Sequence, residues 1–193
     1  MASKQLWLLA GGNGAGKSTF YANYLQPLGI PFVNADLIAK SLYPVSVEES
    51  SYQAAKIAQA LRYRSLMAGH TFCFETVFSQ KSKIDFLGHS RALGYENILV
   101  FIHLDSVALN RARVAQRVQA GGHSVPDEKI ESRIPRLLEN VRIAIPLCDQ
   151  ARLLDNSSAE NPFKPIATIR NTPGREVSQQ QSVLPSWARF LLS

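Results

Sequence analysis

Hydrophobic positions follow two different spacings along the chain, and the two alternate from one end to the other. Short apolar runs, several of them rich in β-branched and aromatic residues, predict buried strands. These runs lie at 5–10, 30–33, 71–77, 98–104 and 152–154. The segments between them repeat apolar residues every three or four positions and predict helices. The helical segments start near 17 and cover about 47–68, 81–93, 106–120 and 126–145. This alternation predicts an α/β fold, with a mostly parallel sheet covered by helices on both faces.

The C-terminal part of the chain has a different pattern. Residues 165–170 and 175–178 are predicted to pair as a hairpin across Asn171–Gly174, and 184–192 to form a closing helix. The 193 residues fit one domain, and 46% of them are hydrophobic, which is enough to bury a sizeable core. We therefore expect a single domain over 1–193, with the hairpin and closing helix occupying about 163–193.

Composition narrows the classes of protein that the chain can belong to. It has no run of about 18 apolar residues, and the apolar run at 6–10 is too short for the core of a signal peptide, so we expect a cytoplasmic protein without a membrane segment. Cys73 and Cys148 supply neither a disulfide framework nor a metal cluster. The formal charge of +6 suits an anionic ligand. No arginine-rich tail or interleaving of aromatic with basic residues favours a nucleic acid as that ligand.

Residues 11–18 read Gly-Gly-Asn-Gly-Ala-Gly-Lys-Ser and match the phosphate-binding pattern G-x-x-x-x-G-K-[ST] between a strand and a helix. Glycines let backbone N–H groups surround phosphate oxygens, and the start of the helix favours negative charge. Lys17 is expected to reach the β- and γ-phosphates of ATP, and the Ser18 hydroxyl to bind Mg²⁺. The predicted nucleotide-binding residues are Gly11, Gly12, Asn13, Gly14, Ala15, Gly16, Lys17, Ser18 and Thr19.

Two acidic residues lie at the ends of predicted strands, on the edge where α/β folds bind ligands. Asp36 follows the second strand and could take a proton from an attacking hydroxyl, although it could also cap the short helix that follows. Glu75 lies among phenylalanines at the end of the third strand, where burial without a partner is costly. It could face Mg²⁺ or a substrate hydroxyl, or simply reach solvent.

Arginines are concentrated on the two helices after the fourth strand. They are Arg111, Arg113, Arg117, Arg133 and Arg136. Arginines can neutralise the charge of a phosphoryl group in transfer, and Gly121–Gly122 between the helices suits the hinge of a lid over about 106–136. The alternative for each arginine is a solvated helix face. Asp105 or Ser106 is expected to cap the helix that follows, and for Asp105 the cap is favoured over the alternative of a Walker B acid. His123 is interpreted as a loop residue of the lid, and Asn156 as a neighbour of the adenine.

The ordered set of motifs resembles the Zeta toxin family of P-loop kinases. The resemblance is carried by Gly11–Ser18, the segment 33–39, Phe74-Glu75-Thr76, and 121–126 with Ile130 and Arg133, and it covers about 5–156. It implies a P-loop NTPase fold with a five-stranded parallel sheet and a small helical lid. The best-known members phosphorylate a sugar hydroxyl of UDP-N-acetylglucosamine, act as bacterial toxins and are neutralised by an antitoxin.

The same resemblance implies roles for individual residues. Lys17 would bind phosphates, Asp36 would act as the catalytic base, and Glu75 would contact the substrate or the metal region. The candidates for γ-phosphate binding are Arg117, Arg133 and Arg136. The chain is thus expected to be an ATP- and Mg²⁺-dependent kinase with a small-molecule hydroxyl acceptor and an antitoxin as a candidate protein partner. A polynucleotide or nucleoside kinase, and an NTP-binding component of a toxin–antitoxin system without catalysis, stay open as alternatives.

Overall fold

The computed structural model describes residues 3–42, 51–119, 125–171 and 174–193. The strands in these ranges are β1 (Gln5–Ala10), β2 (Phe32–Val33), β3 (Phe72–Thr76), β4 (Glu96–His103), β5 (Gln150–Asp155), β6 (Lys164–Arg170) and β7 (Glu176–Gln179). The α-helices are α1 (Lys17–Phe20), α2 (Ala35–Leu42), α3 (Ser51–Met67), α4 (Ser82–Ala92), α5 (Val107–Gln119), α6 (Asp127–Ala144) and α7 (Ser186–Leu192). A π-helical turn (Tyr21–Leu25) and a 3₁₀ turn (Gln26–Leu28) continue α1, and another 3₁₀ turn (Ile145–Leu147) follows α6.

The described strands form one mixed sheet in the order β2-β3-β1-β4-β5-β6-β7. The first five in this order are parallel, and β6 and β7 are antiparallel to their neighbours. The expectation of a five-stranded parallel sheet is therefore wrong for the sheet as a whole. The predicted C-terminal hairpin forms, but it extends the sheet beyond β5. It does so because β6 buries Ile166 and Ile169 and pairs the backbone of β5, which would otherwise be an open edge.

The central strand β1 is buried on both of its faces. Leu6 and Leu8 belong to one hydrophobic cluster, which also takes side chains from α2, α3, α4, α6 and α7. Trp7 and Leu9 belong to a second cluster, together with residues of α1, its following turns and α5. Each large side chain buried in this way contributes about 1.5–3 kcal/mol. Helices thus cover both faces of the sheet, as the sequence pattern predicts.

Element boundaries differ from the predicted ones mostly at helix ends. The helix predicted over 47–68 is described from Ser51 onwards, because residues 43–50 lie outside the described part of the chain. The helix predicted to begin near Lys17 has only four α-helical residues before its hydrogen bonding widens into the π-helical turn. No helix in the described ranges is long and apolar enough to cross a lipid bilayer.

Candidate active site

The glycine-rich segment forms a tight loop between β1 and α1, as its sequence predicts. Gly14 and Gly16 have φ values of 76° and 94°, in the left-handed region that favours glycine. A Cβ atom on Gly11 would lie 2.5 Å from the carbonyl oxygen of Ile102 in β4, which is too close for any side chain. The loop therefore depends on glycine both for its turns and for its close packing against the sheet.

Two buried asparagines hold the backbone of this loop. Asn156, directly after β5, donates from Nδ2 to the Ala15 carbonyl (2.9 Å) and accepts from the Phe163 backbone N–H (3.1 Å). Asn110 on α5 donates from Nδ2 to the Asn13 carbonyl (2.7 Å). Asn156 thus supports the loop directly, while a contact with adenine stays a prediction for it. Asn110 was not predicted, because an asparagine on a helix gives no sequence signal of its tertiary partner.

Lys17 is buried at the centre of the loop. Its ammonium donates to the carbonyl oxygens of Gly11 (3.1 Å) and Gly12 (3.0 Å). Burial lowers the pKa of Lys17, the negative charges of Glu75 and Asp36 raise it, and the positive charge of Arg117 lowers it. All four of these residues line one cleft beside the loop, so the predicted lysine, acids and arginine lie together.

Asp36 lies in the first turn of α2 with its side chain exposed. The alternative that it caps this helix is wrong, because Asn34 is the cap. The Asn34 Oδ1 atom accepts hydrogen bonds from the backbone N–H groups of Asp36 (2.7 Å) and Leu37 (3.1 Å). The carboxylate of Asp36 is therefore not used by the helix start, and it lines the adjoining cleft.

Ser18 and Thr19 open α1 and are exposed. The Ser18 hydroxyl donates to Glu75 Oε2 at 2.8 Å, so the residue predicted to bind Mg²⁺ and the acid at the end of β3 meet directly. Hydroxyl and carboxylate oxygens are ligands that Mg²⁺ accepts alongside phosphate oxygens. The donor set at this point therefore fits Mg²⁺.

The loop after β3 is held in an unusual conformation beside the cleft. Phe78 is fully buried with a φ of 59°, which is rare for a residue with a side chain. Its backbone N–H donates to Thr76 Oγ1 (3.0 Å), and its carbonyl accepts from Asn140 Nδ2 of α6 (2.8 Å). These bonds fix the loop so that Val77 and Ser79 line the cleft.

The cleft beside the P-loop has a volume of about 420 Å³. Residues of the P-loop, α2, the β3 end, the β3–α4 loop and both helices of the predicted lid line it. Arg117 and Arg133 are among these residues, and Arg136 is not. Arg136 is exposed, and its Nε donates to the Ser132 carbonyl of its own helix at 3.4 Å. Two of the three predicted γ-phosphate ligands thus reach the cleft.

The two helices of the predicted lid are joined to each other and to the P-loop. Arg111 on α5 lies 3.5 Å from Asp127 and 2.7 Å from Glu131 on α6. Ser106, rather than Asp105, caps α5 by accepting from the Leu109 backbone N–H at 3.2 Å. The predicted hinge and His123 lie outside the described residues. Together with the bond from Asn110, these contacts hold α5 against the nucleotide-binding loop.

Two cations that the sequence reasoning missed also line the cleft, Arg62 of α3 and Lys83 of α4. Arg62 directly follows the apolar stripe of its helix, and Lys83 lies in the first turn of its helix. Charged residues are common on the solvated faces of helices at such positions, so neither residue indicates a site. Their place in the cleft follows from how α3 and α4 pack on the sheet, which sequence spacing alone does not give.

The sequence model of the AAA_33 family, described as an AAA domain, matches residues 6–137. The chain belongs to this family. An uncharacterised protein of Haemophilus influenzae is 26% identical over 140 residues, which cover 69% of this chain and 99% of the other.

Solved structures share the fold at low sequence identity. The AvrRxo1-ORF1:-ORF2 complex solved with ATP superposes with a TM-score of 0.68 at 19% identity, covering 92% of this chain and 61% of that one. The chain thus spans about three fifths of that protein's length. A structure from the PezAT chromosomal toxin–antitoxin system of Streptococcus pneumoniae gives a TM-score of 0.67 at 16% identity, covering 98% and 77%. The fold is therefore P-loop NTPase-like.

Proposed function

We propose that this protein is an ATP- and Mg²⁺-dependent kinase that transfers the γ-phosphate to a hydroxyl group of a small molecule. The observation that carries the proposal is that Lys17, Asp36, Glu75 and Arg117 line one cleft. A P-loop lysine, two carboxylates and an arginine in one cleft are the groups that phosphoryl transfer needs. The cleft volume of about 420 Å³ suits a small ligand.

Each group has a role in the proposed reaction. Lys17, Arg117 and Arg133 neutralise the phosphate oxygens, on which charge is spread during transfer. Asp36 accepts the proton of the acceptor hydroxyl while its oxygen bonds to the γ-phosphorus and the bond to the ADP oxygen breaks. Arg136 lies outside the cleft, and its part in γ-phosphate binding stays a prediction.

Ser18 and Glu75 are the residues that would hold Mg²⁺, Ser18 directly and Glu75 beside it. When bound, Mg²⁺ neutralises negative charge on the β- and γ-phosphates. The hydrogen bond between Ser18 and Glu75 keeps the two oxygen donors next to each other in the free protein.

For the acceptor and the partner we propose the chemistry of the Zeta toxins. UDP-N-acetylglucosamine is the first acceptor to test, and an antitoxin is the candidate partner. The PezAT system is a toxin–antitoxin pair, and AvrRxo1-ORF1 forms a complex with AvrRxo1-ORF2 and has been solved with ATP. Both share the fold of this chain at below 25% identity and support testing a protein partner, whereas the choice of UDP-N-acetylglucosamine comes from the motif resemblance to the Zeta toxins.

The decisive variant is Asp36→Asn, which removes the base while changing the side-chain shape little. ATP consumption and the phosphorylated product would be followed with Mg²⁺ and separate acceptors: UDP-N-acetylglucosamine, nucleosides and a short oligonucleotide. We expect turnover to fall about 10²–10⁴-fold with nucleotide binding retained. Asp85→Asn is the matched control, because Asp85 is exposed on α4 outside the cleft.

Three outcomes would contradict the proposal in different ways. Asp36→Asn turning over at the parent rate would mean that Asp36 is not the base. Full ATP consumption without any acceptor would indicate an ATPase, and preference for the oligonucleotide would indicate a polynucleotide kinase.

A further inference from the structure

Arg62 is a buried cation in the wall of the cleft. Its residue is only 7% exposed, and its guanidinium lies over the Phe74 ring at 5.2 Å from the ring centre. The Nε–H group is buried, and among the described residues no acceptor lies within hydrogen-bonding distance of it. Burying such a donor without a partner is unfavourable. A ligand in the cleft that accepts from this guanidinium would remove the penalty.

Lys83 is a second cation on the same cleft, on the neighbouring helix. Burial and, to a smaller extent, the positive charge of Arg62 lower the pKa of Lys83 to about 8. The two cations therefore line the same cleft close enough for their charges to interact. The ion pairs found in the described ranges involve Arg111 and Arg142, and none joins Arg62 or Lys83 to an acid.

Like charges held together in a partly buried cleft repel, and an anion between them reverses that repulsion. A guanidinium offers paired N–H groups that match two oxygens of a phosphate or carboxylate, and an ammonium supplies a further point charge. Among the described residues, the acids that line the cleft are Asp36 and Glu75, and both act on Lys17 instead. The anion that Arg62 and Lys83 suit is thus one that a ligand brings with it.

We propose that Arg62 and Lys83 form an anion subsite, which binds a phosphate or carboxylate group carried by the hydroxyl acceptor. This inference rests on the proposed kinase activity and narrows its substrate class to anionic small molecules, such as sugar phosphates, nucleotides or hydroxy acids. The subsite shares the cleft with Asp36 but is built from α3 and α4, so it is separate from the loop that binds the phosphates of ATP.

The test measures anion binding when the P-loop is already filled. The full-length protein is saturated with Mg²⁺ and a non-hydrolysable ATP analogue and titrated calorimetrically with pyrophosphate and, separately, with citrate. We expect at least one of these to bind, and the stronger one identifies the anion as phosphate or carboxylate. Arg62→Gln and Lys83→Gln should each weaken binding by about tenfold or more, as expected when a charge-assisted hydrogen bond is lost.

Controls separate loss of charge from loss of structure. Lys81→Gln, which is exposed and outside the cleft, should bind the anion as the parent does. Arg62→Lys and Lys83→Arg keep the charge and should retain most of the affinity. Because Arg62 packs on Phe74, its variants are also compared by melting temperature; Lys83 is only partly buried and carries the test if Arg62→Gln does not fold.

The subsite is overturned if neither probe binds the nucleotide-loaded protein, or if Lys83→Gln binds as tightly as Lys81→Gln. Failure of the kinase proposal would look different: anion binding sensitive to Arg62 and Lys83, but no phosphorylated product with any acceptor. The reverse result, transfer to a neutral acceptor at the same rate in both glutamine variants, would remove the subsite and leave the kinase.

Discussion

Gly16 occupies a point in the P-loop where a side chain would displace Asn156. Its φ is 94°, and a Cβ atom there would lie 2.5 Å from Asn156 Nδ2. That amide is not free to move away, because it donates to the Ala15 carbonyl while its oxygen accepts from the Phe163 N–H. Gly16→Ala should therefore strain the backbone and break both hydrogen bonds.

The size of the effect follows from these two terms. A left-handed conformation costs a residue with a Cβ about 1–2 kcal/mol. Each buried hydrogen bond contributes about 1 kcal/mol, so losing both adds about 2 kcal/mol. Gly16→Ala should thus cost about 3–4 kcal/mol of the free energy of unfolding. Asn156→Ala already removes the amide that a Cβ at Gly16 would meet and both of its hydrogen bonds. In that background Gly16→Ala should cost only about 1–2 kcal/mol. The double-mutant cycle of Gly16→Ala and Asn156→Ala should therefore be non-additive by about 2 kcal/mol.

Urea unfolding of the four proteins of this cycle measures each free energy. Gly29→Ala is the matched control, because Gly29 has a φ of 71° and nothing lies within 4 Å of its Cβ position. It should cost about 1–2 kcal/mol for strain alone and add to Asn156→Ala. If Gly16→Ala costs no more than Gly29→Ala, or adds fully to Asn156→Ala, the steric reasoning about the P-loop is refuted.

Two further predictions concern the arginines of the predicted lid and the partly buried His103. Arg117→Gln and Arg133→Gln should each lower kcat about 10²–10³-fold in steady-state assays. Arg136→Gln should change kcat little, because Arg136 lies outside the cleft. Equal losses of kcat in all three variants would contradict the assignment of Arg117 and Arg133 to the γ-phosphate. Burial lowers the pKa of His103 to about 4, against the raising effect of Asp155 and Asp105. The unfolded chain then binds more protons between about pH 6.5 and pH 4, so stability should fall by up to roughly 2–3 kcal/mol as pH falls through this window. Urea unfolding across that pH range should show a smaller loss of unfolding free energy for His103→Gln than for the parent. His89→Gln is the control, because His89 is exposed, and it should behave as the parent does. Equal losses in all three proteins would argue against a role for His103 in the pH dependence.

The parts of the site that could be predicted from the sequence are those fixed by local pattern and by sheet geometry. The P-loop follows from its glycine spacing, and Asp36 and Glu75 follow from lying at the carboxyl ends of parallel strands, which meet at one edge. Arg62 and Lys83 could not be predicted, because they reach the cleft from helices whose rotation on the sheet is set by packing. Asn110 could not be predicted for the same reason, because its contact with the P-loop depends on how α5 packs.

Two wrong expectations show where local rules leave a choice open. Asn34 and Asp36 are both good helix caps, and only the position of the first helical residue decides between them. That position depends on β2 ending at Val33. Likewise, β6 and β7 pair with each other as their sequence pattern predicts, but their docking beside β5 depends on which edge of the sheet is open. Both decisions belong to tertiary structure, so a single sequence does not contain a local signal for them.

The proposed reaction brings two anions together, and the distribution of charge in the cleft addresses this difficulty. Like charges about 4 Å apart repel by about 4 kcal/mol at the effective dielectric constant of a protein surface, which is enough to slow an encounter between ATP and an anionic acceptor about a thousandfold. Lys17 offsets the charge of the triphosphate, and Arg62 and Lys83 offset that of the acceptor. Asp36, which must keep its own negative charge to act as a base, gains from the same arrangement because the acceptor's anion is held by cations rather than beside its carboxylate. A catalytic base in the first turn of α2 explains proton removal alone; the cations of α3 and α4 are what would let an anionic acceptor approach it.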